Sequence, residues 1–515
     1  MYLVTANEMQ QLDKETVESF GIPSIVLMEN AGRGAAQILV DNFKDIFTKK
    51  VGIIAGKGNN GGDGFVIARY LSQKGVNVTV FLLSETSSLK GDAALNFSLI
   101  SKLNIPIIEA PGPELLPQLK DLIFNQDIIV DAILGTGLSS EVRGYLKDVI
   151  EFINSLRKIV FSVDIPSGLN ASTGEVNGIC IKAHTTATFG FAKIGHVVLP
   201  GSFYTGNLIV VDIGIPSYLA VKKELSCTLL TDGLISSPIK ARPVDAHKGT
   251  TGHLLLVAGS IGKTGASAMA GISAMRTGAG LVTIGAPKSL ISVIEGLALE
   301  TMCKPLPETI EGFLSEDAFG DIAKELSNKK CLAVGPGIGT DTSTVKLVHK
   351  ILLECRIPMV IDADALNALT SNIGILRNLK APAVLTPHPG EMARLMDTSV
   401  QNIQKDRIVV ARDFAKTFNV YLVLKGAKTI ISSPDGRIFI NPTGNSGMAS
   451  GGMGDVLTGI IAGFITQGMD ILASAVCGVY IHGKIADRLS KQIGFYGFLA
   501  SDLIREIPQE IRNLS

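Results

Sequence analysis

Net charge of either sign is missing from this chain: 47 Lys and Arg residues stand against 47 Asp and Glu residues. No field of one sign draws the whole protein to nucleic acid or acidic lipid, and neither is an expected partner. Charge is scarce altogether, at 18% of residues against roughly 25% in an average protein. Tryptophan is absent, and cysteine is limited to Cys180, Cys227, Cys303, Cys331, Cys355 and Cys477. These are far apart and include no CxxC, which argues against a disulfide framework or a thiolate zinc site and points to buried thiols in a reducing compartment. Long apolar runs are missing too. The stretch from Val456 to Met469 falls short of the roughly 18 uncharged residues that a membrane helix needs. The opening segment MYLVTANEMQQLDKE has no basic region followed by an apolar one, so no secretory signal is expected. A soluble, cytoplasmic protein is the expectation.

Glycine is plentiful, with 55 residues in 515, which favours the tight turns of α/β enzymes. The length sets an expectation of two to four domains. Thr5 and Glu8 open a helix with a capping-box pattern. Short apolar runs then alternate with helical patterns: residues 51–55, 78–83, 127–134, 159–163 and 208–211 in the first half. The second half repeats the rhythm at 253–258, 280–284, 331–334, 359–361, 383–385 and 420–424. Strands alternating with helices predict parallel sheets covered on both faces. Between Gly214 and His247 the periodicity lapses, which places a domain boundary there. No repeat of a solenoid kind is visible.

In the first half, the run at 51–55 leads into Gly56-Lys57-Gly58-Asn59-Asn60-Gly61-Gly62-Asp63-Gly64 and then a helical pattern. Strand, glycine loop and helix form a cradle for an anion, because backbone amides approach it closely at a helix N-terminus. The Asn-Asn-Gly-Gly-Asp cluster adds hard oxygen donors that suit an alkali or alkaline-earth ion, or a ribose. Asp131 and Asp164 end two further strands, in Asp131-Ala132-Ile133-Leu134-Gly135-Thr136-Gly137 and Asp164-Ile165-Pro166-Ser167-Gly168. Such strand ends converge on one crevice.

With Leu27-Met28-Glu29-Asn30-Ala31-Gly32-Arg33, these segments resemble the NAD(P)H-hydrate epimerase domain, a Rossmann-like fold, over residues 1–215. The resemblance implies that Asn59, Asn60, Gly61, Gly62 and Asp63 hold the hydrated dinucleotide together with Gly135, Thr136, Gly137, Leu138, Ser139, Ser140, Glu141 and Asp164. It also implies a potassium ion on Asn60, Asp131 and Ser167. Epimerisation at a hydroxyl-bearing ring carbon needs either proton transfers that open and reclose the adduct, or loss and return of water on opposite faces. Asp164 is the candidate base, with Lys193 as its proton-transfer partner.

In the second half, Asn445-Ser446-Gly447-Met448-Ala449-Ser450-Gly451-Gly452-Met453-Gly454-Asp455 enters an apolar helix. Free amides and the positive dipole end make an anion hole there, and Asp455 is expected to be held ionised as a proton acceptor. Gly259 to Thr264 superficially suggests a P-loop, but Val257 stands where its first glycine belongs. Segments following apolar runs, among them Gly335 to Gly339, Asp362 to Asn367, Thr386 to Glu391 and Leu424 to Thr429, border one crevice in this reading. His388, between two prolines, suits hydrogen bonding to a substrate.

Residues 235–515 are similar to the ADP/ATP-dependent NAD(P)H-hydrate dehydratase family, a ribokinase-like α/β fold; residues 216–234 are read as a linker. That resemblance implies hydrate binding at Ala266, Gly337, His388 and Asp455, and nucleotide binding at Lys425, Gly426, Ala427, Lys428, Thr429 and Gly454. Asp455 would deprotonate the hydrate hydroxyl, ADP or ATP would donate phosphate, and magnesium would screen the nucleotide. Both halves in this order resemble the bifunctional repair enzymes for hydrated NADH and NADPH. A ribokinase-like small-molecule kinase fused to a non-catalytic nucleotide-binding scaffold is the alternative. A homo-oligomer is expected.

Overall fold

The computed structural model describes residues 1–138 and 140–515. The chain divides into two compact units, Tyr2–Cys227 and Thr228–Ser515, the latter taking in Met1.

Seven strands build the first unit's sheet: β1 (Lys50–Ala55), β2 (Asn77–Leu82), β3 (Ile107–Glu109), β4 (Ile128–Ala132), β5 (Ile159–Val163), β6 (Thr185–Phe189) and β7 (Asn207–Val211). They lie in the order β3-β2-β1-β4-β5-β6-β7, with every adjacent pair parallel. Alternate side chains leave opposite faces. Ile53, Val130 and Phe161 join a core with Leu39, Phe65 and Leu71. Their neighbours Ile54, Ile129 and Val160 join another with Leu119, Ile123, Val149 and Ile153. This is the three-layer Rossmann-like architecture, and burying each large apolar side chain contributes about 1.5–3 kcal/mol. The Thr5–Glu8 capping box opens the helix Ala6–Glu15. A short pair, Leu3–Val4 against Ala192–Lys193, fixes Lys193 just beyond β6.

The second unit contains β8 (His253–Val257), β9 (Leu281–Pro287), β10 (Met302–Leu306), β11 (Cys331–Val334), β12 (Met359–Ile361), β13 (Ala383–Leu385), β14 (Tyr421–Leu424), β15 (Ile430–Ser432) and β16 (Ile438–Ile440). Their order is β10-β9-β8-β11-β12-β13-β14-β15-β16. The first seven of these are parallel neighbours, and β15 and β16 join antiparallel. This is a ribokinase-like α/β unit. Its largest core packs Leu254, Leu256, Val282 and Ile284 against Val456, Ile460, Ile481 and Leu503 from three C-terminal helices.

One of those helices closely approaches a helix from earlier in the unit. Helix Met453–Thr466 meets helix Thr264–Thr277 at Gly459, where an added Cβ would stand 2.3 Å from the Ala270 carbonyl oxygen and 2.6 Å from Ser273 Cβ. Gly459→Val is therefore expected to cost about 1–3 kcal/mol through overpacking, read as a lowered urea midpoint. Gly320→Ala, with open space around the new methyl, should leave stability unchanged or raise it by up to about 1 kcal/mol.

Candidate active sites

The carboxyl ends of β1, β4 and β5 border a cavity of about 1050 Å³ in the first unit. β1 turns through Gly56–Gly58 into helix Asn59–Gln73. Gly61 is required because a Cβ would lie 1.9 Å from the Gly56 carbonyl oxygen. Asn59, Asn60, Asp63, Gly135, Thr136, Gly137, Leu138, Ser140, Asp164 and Lys193 line the cavity. Gly61 and Gly62 are buried in the helix start. Glu141 is exposed and pairs with Arg143, and Ser139 lies outside the described residues.

Asp131 and Ser167 are fully buried. The Asp131 carboxylate accepts from Ser162 Oγ at 2.8 Å, the Ser167 amide at 2.9 Å and Ser167 Oγ at 2.5 Å. Asn60 Nδ2 donates to the Leu134 carbonyl at 3.0 Å, and the Leu134 amide donates to Ser167 Oγ at 2.8 Å, so Leu134 ties the two loops together. Asn60 Oδ1 is buried with no hydrogen-bond partner. An orphaned amide oxygen beside a carboxylate and a hydroxyl is a donor set that fits potassium. Among the described residues no group of three or more His, Cys, Asp and Glu is placed to hold a metal ion.

Asp164 follows β5 with φ +62°, a backbone strain of about 1–3 kcal/mol for a non-glycine residue. Its carboxylate accepts from Lys193 Nζ, Thr188 Oγ1 at 3.1 Å and the Phe189 amide at 3.2 Å. Lys193 is 1% exposed and also donates to Thr188 Oγ1 and the Phe189 carbonyl. Burial works to raise the Asp164 carboxyl, but the adjacent ammonium outweighs it and holds the group below the ordinary carboxylate range. Asp63 goes the other way, raised by burial and then by Asp164. Asp13, from the first helix, also lines the cavity and was not among the residues singled out in sequence. From the Leu27–Arg33 motif, Leu27, Met28 and Ala31 line the cavity, while Glu29 accepts from Arg69 and Tyr70, and Asn30 donates to the Ile213 carbonyl.

In the second unit, Gly452 caps helix Met453–Thr466 with φ +87°, and Asp455 stands in its first turn. An added Cβ on Gly454 would lie 3.4 Å from Lys425 Nζ and 3.8 Å from Asp362 Oδ2, so the glycine loop, Lys425 and Asp362 meet. Lys425 Nζ donates to Asp362 Oδ1 at 2.9 Å and stands 3.7 Å from Glu391 Oε2. Thr458 Oγ1 donates to Asp362 Oδ2 at 2.7 Å. Burial works to raise Asp362, but Lys425 overcomes it and the carboxyl ends below its ordinary value.

The expectation that Asp455 is held ionised is corrected. Burial first, then the neighbouring Asp362, push its carboxyl up to about 7, against the pull of Lys425. The helix end, worth about 0.3–1 kcal/mol at an exposed site, is too weak to offset burial and the Asp362 charge, and a group near 7 is well matched to general-base work at neutral pH.

Ala266 and Gly337 are neighbours, since a Cβ on Gly337 would stand 3.1 Å from Ala266 Cβ. His388 Nδ1 accepts from the Gly390 amide at 3.0 Å, which assigns the neutral ring's proton to Nε2. Lys425–Thr429 forms a loop braced by Arg407, which donates to the Leu424, Lys425 and Ala427 carbonyls. Lys428 Nζ donates to the Pro442 carbonyl at 3.2 Å. Sequence reasoning missed Arg407 as part of this site, and quoted Glu391 only within the Thr386 to Glu391 segment. It quoted Asp362 within a motif without giving it a role.

Two α/β units, each with a helix N-terminus, a buried carboxylate and a lysine meeting at its strand ends, define a two-unit α/β protein with an enzyme-like site in each. The family model described as NAD(P)H-hydrate dehydratase matches residues 254–509, and that described as YjeF-related protein N-terminus matches 24–195. A bifunctional NAD(P)H-hydrate repair enzyme of Moorella thermoacetica is 43% identical over 100% of this chain and 97% of its own. The Escherichia coli protein of that description is 34% identical over 97% and 92%. The chain belongs to the bifunctional NAD(P)H-hydrate repair enzyme family. A ribokinase-like superfamily protein from Enterococcus faecalis superposes with TM-score 0.50 at 24% identity, covering 56% of this chain and 97% of that one, which agrees with the fold of the second unit.

Asp455 makes a stability prediction. A carboxyl raised in the folded state favours folding below its ordinary pKa and loses that contribution as pH rises through about 7. Relative to Asp455→Asn, the wild type should lose on the order of 2–4 kcal/mol between pH ~4 and ~7 and then stay level. Urea unfolding across that range checks it; parallel pH curves for the two proteins contradict it.

Proposed function

We propose that this chain repairs hydrated NADH and NADPH in two steps at two crevices. The unit carrying the epimerase, residues 1–215, interconverts the R and S hydrates. Residues 235–515, after a linker at 216–234, dehydrate the S form with ADP or ATP as phosphate donor. Membership of a bifunctional family across both units supports this over a kinase fused to an inert scaffold, because every part of the chain is then used. The observation that carries the second step is Asp455, near neutrality in its pKa, beside Lys425 and the glycine-rich helix start.

In that step Asp455 accepts the proton of the hydrate hydroxyl while the oxygen takes a phosphoryl group from the nucleotide. Loop amides and the Lys425 ammonium face the developing negative charge. Phosphate then leaves with the carbon–oxygen electron pair, a proton is lost from the adjacent ring carbon, and the dihydronicotinamide is restored. His388 Nε2, Ala266 and Gly337 position the hydrate; Lys425–Thr429 and Gly454 receive the nucleotide, which brings magnesium on its phosphates. At the first crevice, Asn59–Asp63 and Gly135–Glu141 embrace the substrate, and the Asp164–Lys193 pair sets the charge beside the reacting ring. Potassium, when bound by Asn60, Asp131 and Ser167, supplies positive charge that anchors the anionic dinucleotide. Buried thiols at Cys180, Cys331, Cys355 and Cys477 with no disulfide support a reducing compartment, the cytoplasm.

Recovery of NADH absorbance from mixed hydrate epimers tests the reading. The intact protein with ADP and magnesium should restore all of it, Asp164→Asn only the S fraction, and Asp455→Asn at least ~100-fold more slowly. No nucleotide-dependent recovery by the intact protein would overturn it. Replacing potassium by tetramethylammonium should slow epimerisation and spare dehydration of the pure S hydrate.

A further inference from the structure

Asp164 is a weak proton acceptor, because Lys193, Thr188 and Phe189 all donate to its Oδ1 and the ammonium holds its carboxyl below the ordinary range against burial. A second carboxyl faces the same cavity without such engagement. Met9, Asp13 and Val17, spaced at four-residue intervals, turn one face of the first helix and its continuation toward the cavity. Asp13 Oδ1 is buried and has no hydrogen-bond partner. We infer that Asp13 is the carboxyl that exchanges a proton with the hydrate in the first crevice, Asp164 serving to hold Lys193. The inference rests on the epimerase reading above.

The charge environment agrees. Burial raises Asp13 to about 6, Lys193 opposes this, and Asp164 adds to it. From helix Asn59–Gln73, Asp63 is the other acidic group in electrostatic reach. Lys222 and Lys223, at the end of the helix packed against Asp13's own, pair with Glu15 instead. The arrangement parallels the second unit, where Asp455 stands free beside the Asp362–Lys425 pair.

The hydroxyl-bearing carbon of the hydrate is bonded to the ring nitrogen. Asp13 takes the hydroxyl proton, the carbon–nitrogen bond breaks with its electron pair going to nitrogen, and an aldehyde forms. Nitrogen then adds to the opposite face of that carbonyl, and Asp13 returns the proton to oxygen. No atom is gained or lost, and no oxidant is needed.

The test uses the full chain and purified R hydrate. For the intact protein, kcat/KM for epimerisation should rise with pH through about 6 and level off. Asp13→Asn should lower kcat about 10²- to 10⁴-fold with little change in KM, and remove that limb. Dehydration of the S hydrate with ADP on the same chain should be unchanged, which reports that the protein is folded. Asp13→Glu, which retains the carboxyl, should recover part of the rate with a displaced limb. Wild-type kcat in Asp13→Asn, a retained limb in that variant, or an undisplaced limb in Asp13→Glu overturns the inference alone. An intact protein that does not epimerise overturns the epimerase reading itself.

Discussion

Each unit depends on one buried ion pair at the carboxyl end of its parallel sheet. Lys193 with Asp164, and Lys425 with Asp362, are taken out of water together. Either charge alone would cost several kcal/mol to bury. Paired, each holds its carboxylate ionised against the pull of burial, and each fixes a positive charge at a strand end where an anionic ligand arrives. Partner hydroxyls complete the bonding: Thr188 in one case, Thr458 in the other.

The fold supplies these pairs from residues distant in sequence. In the first unit the aspartate follows β5, while the lysine follows β6 and is fixed there by the short pairing with Leu3–Val4. In the second, the aspartate follows β12 and the lysine follows β14, with β13 between them. A pair so placed changes its neighbours. Burial raises another acid nearby, Asp13 in one crevice and Asp455 in the other; the Lys193 ammonium opposes the rise of Asp13 more than Asp164 adds to it, whereas Asp362 adds more to Asp455 than Lys425 takes away. A structural ion pair and a titratable acid near neutrality are thus parts of a single electrostatic arrangement.

Much of this was legible in the sequence. The runs at 159–163, 331–334, 359–361 and 383–385 match strands residue for residue, because strands buried on both faces read as continuous apolar stretches. β10, with Met302-Cys303-Lys304-Pro305-Leu306, carries a lysine and a proline and reads poorly as a strand, although it occupies a sheet edge. β3, β15 and β16 have three residues each and, unlike the equally short β12 and β13, are not among the runs read as strands. Asp164 stood out because it ends a buried apolar run, and Asp455 because a glycine-rich run leads into it. Asp13 did not, since nothing in an amphipathic helix tells which face meets a cavity built from loops spread between Gly56 and Lys193. The ionisation of Asp455 was misjudged because neither its burial nor the approach of Asp362, 93 positions away, shows in the local sequence.

In the first crevice Asp13 and Asp63 are raised beside Asp164, which is held below the ordinary range; in the second Asp455 is raised beside Asp362, which is held below it. Titration of the protein with ¹³C-carboxyl-labelled aspartate, followed by NMR and assigned with Asp13→Asn and Asp455→Asn, tests this arrangement most directly. The account predicts midpoints of about 6 for Asp13 and about 7 for Asp455. Both resonances titrating near the ordinary aspartate value of about 4 would contradict it.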